Sequence, residues 1–150
     1  MKEIRKILFP VDLSEVSSKL APDAITLAQK FNAEIHLLFV AGTFEKFKTF
    51  YIPHPSLRSF GDEVLKGGQK KLKEYVEDFF SEYPKVKTIV MQGDPAEEIL
   101  KYIASEKVDL VIMGTHGRKG LDRILFGSVA NQVVQNSPAP VLTINPYRQL

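Results

Sequence analysis

The sequence predicts a doubly wound α/β fold: a five-stranded parallel sheet with helices on both faces, Rossmann-like in outline. Three observations carry that expectation. Short apolar runs that do not alternate strictly, such as ILFPV, EIHLLFVA and LVIMG, suit strands covered on both faces. Between them lie segments whose apolar residues recur at helical spacing, so strands and helices alternate. Right-handed crossovers then arrange such strands in parallel. At 150 residues the chain is long enough to bury a core as one domain, 1–150.

Taken in order, the first strand lies within Ile4–Val11. The turn DLSEVSS follows, and Leu20, Ala24, Leu27, Ala28 and Phe31 form one helical face. Pro22 belongs in a first helical turn, which places the helix start near Ser17 or Ser18. Asn32 suits a left-handed C-cap. EIHLLFVA is the second strand. Residues 42–63 read as irregular, with Phe44, Phe47, Phe50, Tyr51 and Phe60 among prolines. That is long for a plain loop, and fits a lid, a dimer surface or a grip on a protein partner. A helix over about 62–83 follows, with Gly67 and Gly68 near its start and Leu72, Val76 and Phe79 inward.

The third strand begins at Thr88. Asp94 then offers an N-cap, Pro95 a first helical position and Glu97 a capping-box partner. Ile99, Leu100, Ile103 and Ala104 form that helix's inner stripe. Leu110–Gly114 is the fourth strand. The last helix opens near Ser128 with Val129, Val133 and Val134 inward, Ser137, Pro138 and Pro140 stop it, and VLTI is the fifth strand.

The bulk numbers exclude several classes. A net charge of +2 argues for neither a nucleic-acid nor a membrane surface. No cysteine is present, so disulfides and thiolate metal sites are ruled out, which fits a reducing cytoplasm. No apolar run reaches the length of a membrane span, and the apolar run after MKEIRK is too short for a signal sequence.

Between the fourth strand and the last helix runs GTHGRKGLDRILFGS, residues 114–128, with four glycines. In an open α/β sheet ligands bind beyond the carboxyl ends of the strands, where this stretch sits. Gly114 and Gly117 allow close backbone approach. Gly127 and Ser128 place unpaired amides at a helix N-terminus, which favours an anion, and the Ser128 hydroxyl can donate to one. Arg118, Lys119 and Arg123 add positive charge. The pattern is not a Walker A loop, because Lys119 is followed by Gly120 and Leu121. Nor is it a dinucleotide fingerprint, which belongs after the first strand, where this chain reads PVDLSE. Spacing alone leaves two readings open, a polyphosphate cradle or a basic strand-to-helix turn.

Gly-x2-Gly-x9-Gly-Ser after the fourth strand, PVDLSE after the first and SPAPVLTI at the end together resemble the universal stress protein family, over nearly the whole chain. The glycine pattern is the signature of that family's ATP-binding members. The resemblance implies a nucleotide-dependent regulatory protein of the stress response; the alternative is a slow ATP hydrolase or adenylyl-transfer enzyme using the same pocket. It implies that Pro10, Val11 and Asp12 line an adenosine pocket, with Val40 at the adenine edge and Met113 and Gly114 beside the ribose. Gly117, Arg118, Gly127, Ser128 and Val129 would surround the phosphates. A magnesium or manganese ion would ride on phosphate oxygens. Read without it, Asp12 is a turn residue, Val40 and Met113 are core, Arg118 and Lys119 are surface charges, and His116 is a solvated loop side chain or a phosphate contact. His36 and His54 show no metal-ligand spacing. No residue stands out as a catalytic base.

The resemblance also implies a homodimer paired through Val141, Leu142, Thr143 and Ile144, an edge strand of the kind that invites pairing. Pro140 and Pro146 offer the other reading, an edge merely blunted.

Overall fold

A computed structural model of the chain describes residues 2–42, 54–116 and 127–147. Its elements are β1 (Lys6–Val11), α1 (Glu15–Phe31), β2 (Glu34–Ala41), α2 (His54–Phe79), β3 (Val86–Gln92), α3 (Pro95–Ser105), β4 (Leu110–Gly114), α4 (Ser128–Asn136) and β5 (Val141–Ile144). The five strands form one parallel sheet in the order β3-β2-β1-β4-β5. The expected doubly wound α/β fold is therefore present. Strand order reverses between β1 and β4.

Alternation along each strand divides the core between the two faces. Ile7, Phe9 and Val11 of β1, with Ile35 and Leu37 of β2, pack beneath Leu20, Ala24 and Ala28 of α1 and Leu72 and Tyr75 of α2. On the other face Leu8, Leu38, Val111 and Met113 meet Ile99, Tyr102 and Ile103 of α3 and Ala130 and Val133 of α4. His36 lies on this second face, 1% exposed. Its Nε2 pairs with the Glu34 carboxylate and its Nδ1 lies 2.7 Å from the Tyr102 hydroxyl. Burial lowers the His36 pKa despite Glu34, and burial raises that of Tyr102 to about 12. The network ties α3 to β2.

β1 pairs with β2 at six positions, but with β4 the described register holds two, Ile7 with Leu110 and Leu8 with Val111. The Lys6 carbonyl accepts from the Asp109 N–H at 3.0 Å, while that of Arg5 accepts from Glu34 at 2.8 Å. Even-numbered residues of β1 thus face β4. Pro10 is one of them, and it has no N–H to donate. The ladder between the central strands ends where Pro10 begins.

Several expected boundaries move. α1 starts at Glu15, so Pro22 lies inside the helix rather than in its first turn. The helix continues past it with Pro22 on its exposed side, and the Thr26 hydroxyl donates to the Pro22 carbonyl at 2.9 Å. Asn32 caps the helix as expected, with φ 54°. α2 begins at His54, within the stretch read as irregular, and Pro55 falls in its first turn, where a missing N–H is tolerated. Gly67 and Gly68 sit mid-helix; a Cβ on Gly68 would come within 3.1 Å of Phe39 and Val90. Phe80 is buried against Phe9 while Phe79 is 40% exposed, the reverse of the expected stripe. β3 starts two residues early, at Val86. Phe31, Ala104 and Val134, expected inward, are exposed, because each sits at the margin of its helix's buried arc. Among the described residues no helix is long and apolar enough to cross a membrane.

Candidate functional site

A cleft of about 530 Å³ opens at the carboxyl ends of β1 and β4, at the point where strand order reverses. Its floor is Pro10, Val11 and Asp12 from β1 and the turn after it, with Met113 and Gly114 from β4. Leu38, Phe39 and Val40 of β2 form one end wall. Val16, Ser17 and Leu20 close it from α1, Pro95 and Ile99 from α3, and Gly127–Ala130 from the start of α4. The lining is mainly apolar, with polar groups gathered near Asp12 and α4, a composition suited to a flat base and a charged tail.

The turn after β1 is built on itself. Asp12 Oδ1 accepts from the Ser14 N–H at 3.0 Å, the Ser14 hydroxyl at 2.5 Å and the Ser17 hydroxyl at 2.6 Å. The Asp12 N–H donates to Ser17 Oγ at 3.1 Å in return. Leu13 makes this possible by adopting a left-handed φ of 61°, which an L side chain rarely does. Tyr75 closes the back of the turn, its hydroxyl donating to the Ser17 carbonyl at 2.9 Å. Burial, and then the Asp12 charge, raise the Tyr75 pKa well above its ordinary value. Asp12 is thus a helix-entry residue and part of the cleft floor at once.

The β4 side is organised by Thr115. Its N–H donates to Ile144 at 2.9 Å, continuing the β4–β5 ladder, and its carbonyl accepts from the Gly127 N–H at 2.7 Å. That second bond sets the amino end of α4 directly beside the end of β4. A Cβ on Gly114 would lie 2.8 Å from Leu20 Cδ1 and 3.1 Å from the His116 carbonyl, so any side chain there would push Leu20 aside and crowd the backbone. Gly127 is different. Its φ of −63° and ψ of 155° suit any residue, and among the described residues a Cβ would meet only the Thr115 carbonyl, at 3.7 Å. Nothing among the described residues requires glycine at 127. The N–H groups of Ser128, Val129 and Ala130 find no acceptor among the described residues.

The geometry has counterparts in known proteins. A family model described as "Universal stress protein family" matches residues 3–145. The chain belongs to the universal stress protein family. Among its relatives, Universal stress protein MJ0531 of Methanocaldococcus jannaschii is 35% identical over 151 residues, covering 93% of this chain and 81% of that one. The solved UspA of Lactobacillus plantarum superposes with a TM-score of 0.79 at 23% identity, covering 97% of this chain and all of the other. A universal stress protein from Archaeoglobus fulgidus, solved in complex with dAMP, shares the fold with a TM-score of 0.69 at 17% identity, over 96% of this chain and 100% of that one.

In this universal stress protein the cleft brings together Pro10, Val11, Asp12, Val40, Met113, Gly114, Gly127, Ser128 and Val129 of the sequence-predicted set. Gly117 and Arg118, with Lys119 and Arg123, lie outside the described residues, as does most of the aromatic stretch. Val16 and Ser17 were missed because placing the helix start at Ser17 or Ser18 leaves no room for a first turn on the cleft wall. His116 also lines the cleft, half-buried. Its neighbour Gly117 in the glycine pattern was the available signal. Val141, Leu142, Thr143 and Ile144 form an edge strand in which Leu142 is exposed and the others are partly buried.

Proposed function

We propose that this universal stress protein binds an adenine nucleotide, ATP with magnesium or manganese, and acts as a nucleotide-dependent regulator. One observation carries the reading: the cleft at the strand-order reversal ends on a helix whose first amides meet no acceptor among the described residues, at a glycine that none of those residues requires. A side chain at 127 would fill space that a phosphate can use. The base would lie against Leu38, Phe39 and Val40, the sugar over Pro10–Asp12 and Gly114, and the phosphates at Gly127, Ser128 and Val129, joined by Gly117 and Arg118. The neighbour holding dAMP has the same fold, which supports an adenine compound here.

Asp12 is the one carboxylate lining the cleft among the described residues, and no cluster of metal-ligating side chains occurs among them. A divalent ion would therefore be held chiefly by phosphate oxygens. With Asp12 Oδ1 engaged by Ser14 and Ser17, the reading is binding rather than turnover. ATP at 100 times its Kd should stabilise the folded chain by about 2.7 kcal/mol. Differential scanning calorimetry with and without magnesium ATP tests this, and an unshifted melting temperature at saturating nucleotide would reject it.

The same reading includes a homodimer through β5, whose outer edge meets no other strand among the described residues. Leu142→Glu should lower the sedimentation coefficient while leaving the circular dichroism spectrum intact.

A further inference from the structure

Three elements converge where β4 leaves the sheet. The Tyr147 N–H donates to Asn145 Oδ1 at 2.9 Å, which turns the chain after β5 back across the end of β4. Its ring meets the His116 imidazole nearly perpendicularly, at 78° and 5.2 Å between centroids. Lys19 of α1 holds its ammonium 5.2 Å from the centre of the Tyr147 ring. On the other side, His116 Nδ1 lies 2.8 Å from Thr115 Oγ1, within hydrogen-bonding distance. Thr115 is itself buried and fixed by its bonds to Ile144 and Gly127.

The imidazole is thus held on two sides while it lines the cleft. With Nδ1 committed to Thr115, Nε2 is the ring's remaining polar atom, and it meets no partner among the described residues. Tyr147 is 53% exposed, so its burial does little for the core. An exposed aromatic ring clamped between a cation and a cleft-lining histidine serves orientation. The location supplies the ligand chemistry. β2 and β4 flank β1, so a base against β2 and a sugar over β1 leave the phosphates on the β4–β5 side, where His116 stands.

We infer that Tyr147, anchored by Lys19, is a positioning residue that aims His116 at the phosphates beyond the first, so that the stack favours nucleoside triphosphates over monophosphates. His116 donates from Nε2 to a phosphate oxygen; Tyr147 and Thr115 prevent the ring from turning away. The inference rests on the adenine-nucleotide reading and adds a discriminating contact to it.

Isothermal titration of the full chain with AMP, ADP and ATP, each with magnesium, tests it. Losing a charge-assisted hydrogen bond should weaken ATP binding about ten-fold in His116→Ala and Tyr147→Ala, with AMP affinity unchanged. Tyr147→Phe keeps the ring and should retain the wild-type preference. The double variant His116→Ala/Tyr147→Ala should lose no more than either single one, since both act through one contact. Equal losses for AMP and ATP, an unchanged ATP-to-AMP ratio, additive losses, or a Phe variant that behaves like Ala would each overturn the inference while the nucleotide site stands. Wild-type protein that binds none of the three nucleotides would overturn the nucleotide reading and this inference with it.

Discussion

Two helices start on the same face of the sheet and at the same cleft, yet their first turns are built in opposite ways. α3 is closed by its own sequence: Asp94 Oδ1 accepts from the Glu97 N–H at 3.0 Å, Pro95 leads the helix, and Glu97 and Glu98 add negative charge to the first turn. α4 has Gly127 at its cap, no side-chain cap bond and no acidic residue in its first turn. Both helices present the positive end of a backbone dipole. In α3 three carboxylates already answer it. In α4 nothing among the described residues does, and the cleft lies in front. Of two geometrically similar helix ends, the uncapped one is the end that the proposed nucleotide would use.

The largest expected effect comes from making α4 resemble α3. Gly127→Asp would supply both a self-cap and a negative charge, so ATP affinity should fall on the order of a hundred-fold, the scale of like charges brought together at an interface. The unliganded protein should melt at the same temperature or slightly higher, since Asp exceeds Gly as a cap by only a few tenths of a kcal/mol. Calorimetry with and without nucleotide reads both; a Gly127→Asp protein that still binds ATP normally would break the comparison.

Gly114 provides the next test, because it shares a loop with Gly127 but not its role. Gly114→Ala presses a methyl onto Leu20 and the His116 carbonyl, and should destabilise the unliganded fold by about 1–3 kcal/mol in denaturant titration. Gly127→Ala should leave that titration unchanged.

Asp94→Ala should cost about 1 kcal/mol of stability, the usual value of a helix cap, without weakening ATP. If ATP binding fell with it, α3 would share the anion seat. The smallest effect is a pH dependence at the contact between β2 and α3. Burial lowers the His36 pKa in the folded chain, so the unfolded chain takes up the proton first as pH falls below about 6.5. Stability contributed by neutral His36 is complete above that pH and declines below it. Melting temperatures from pH 8 to 5 should fall less steeply in His36→Gln, and hydrogen exchange at low pH should rise in α3 before α4.

The contrast between the two helix ends was half legible in the sequence. Asp94, Pro95 and Glu97 announce a self-capped helix because every group involved is within a few residues. Asn32 was legible as a C-cap for the same reason. Gly127 was legible as permissive, but whether the fold needs glycine there depends on what a Cβ would touch, which is a tertiary fact. Asp12 shows the limit most clearly. Turn residue and cleft residue were written as alternatives, and the structure makes it both, because Leu13 takes a left-handed conformation that no local pattern announces. Of the order of the strands, the place of β5 at an edge was expected from the family resemblance, and the rest was not legible. Neither was α2's early start, since its first turn lies in a run of prolines and aromatics that mimics a loop.

The missing donor at Pro10 reaches beyond the cleft floor. By its pairing the sheet divides into two leaves, β3-β2-β1 and β4-β5, joined at Ile7 and Leu8. Beyond Leu8 no further pair joins the leaves among the described residues. The nucleotide proposed for the cleft would touch both and act as a strut between them. Occupancy would then be legible at the outer edge of β5, far from the nucleotide, as a change in the angle at which that edge is offered to another chain.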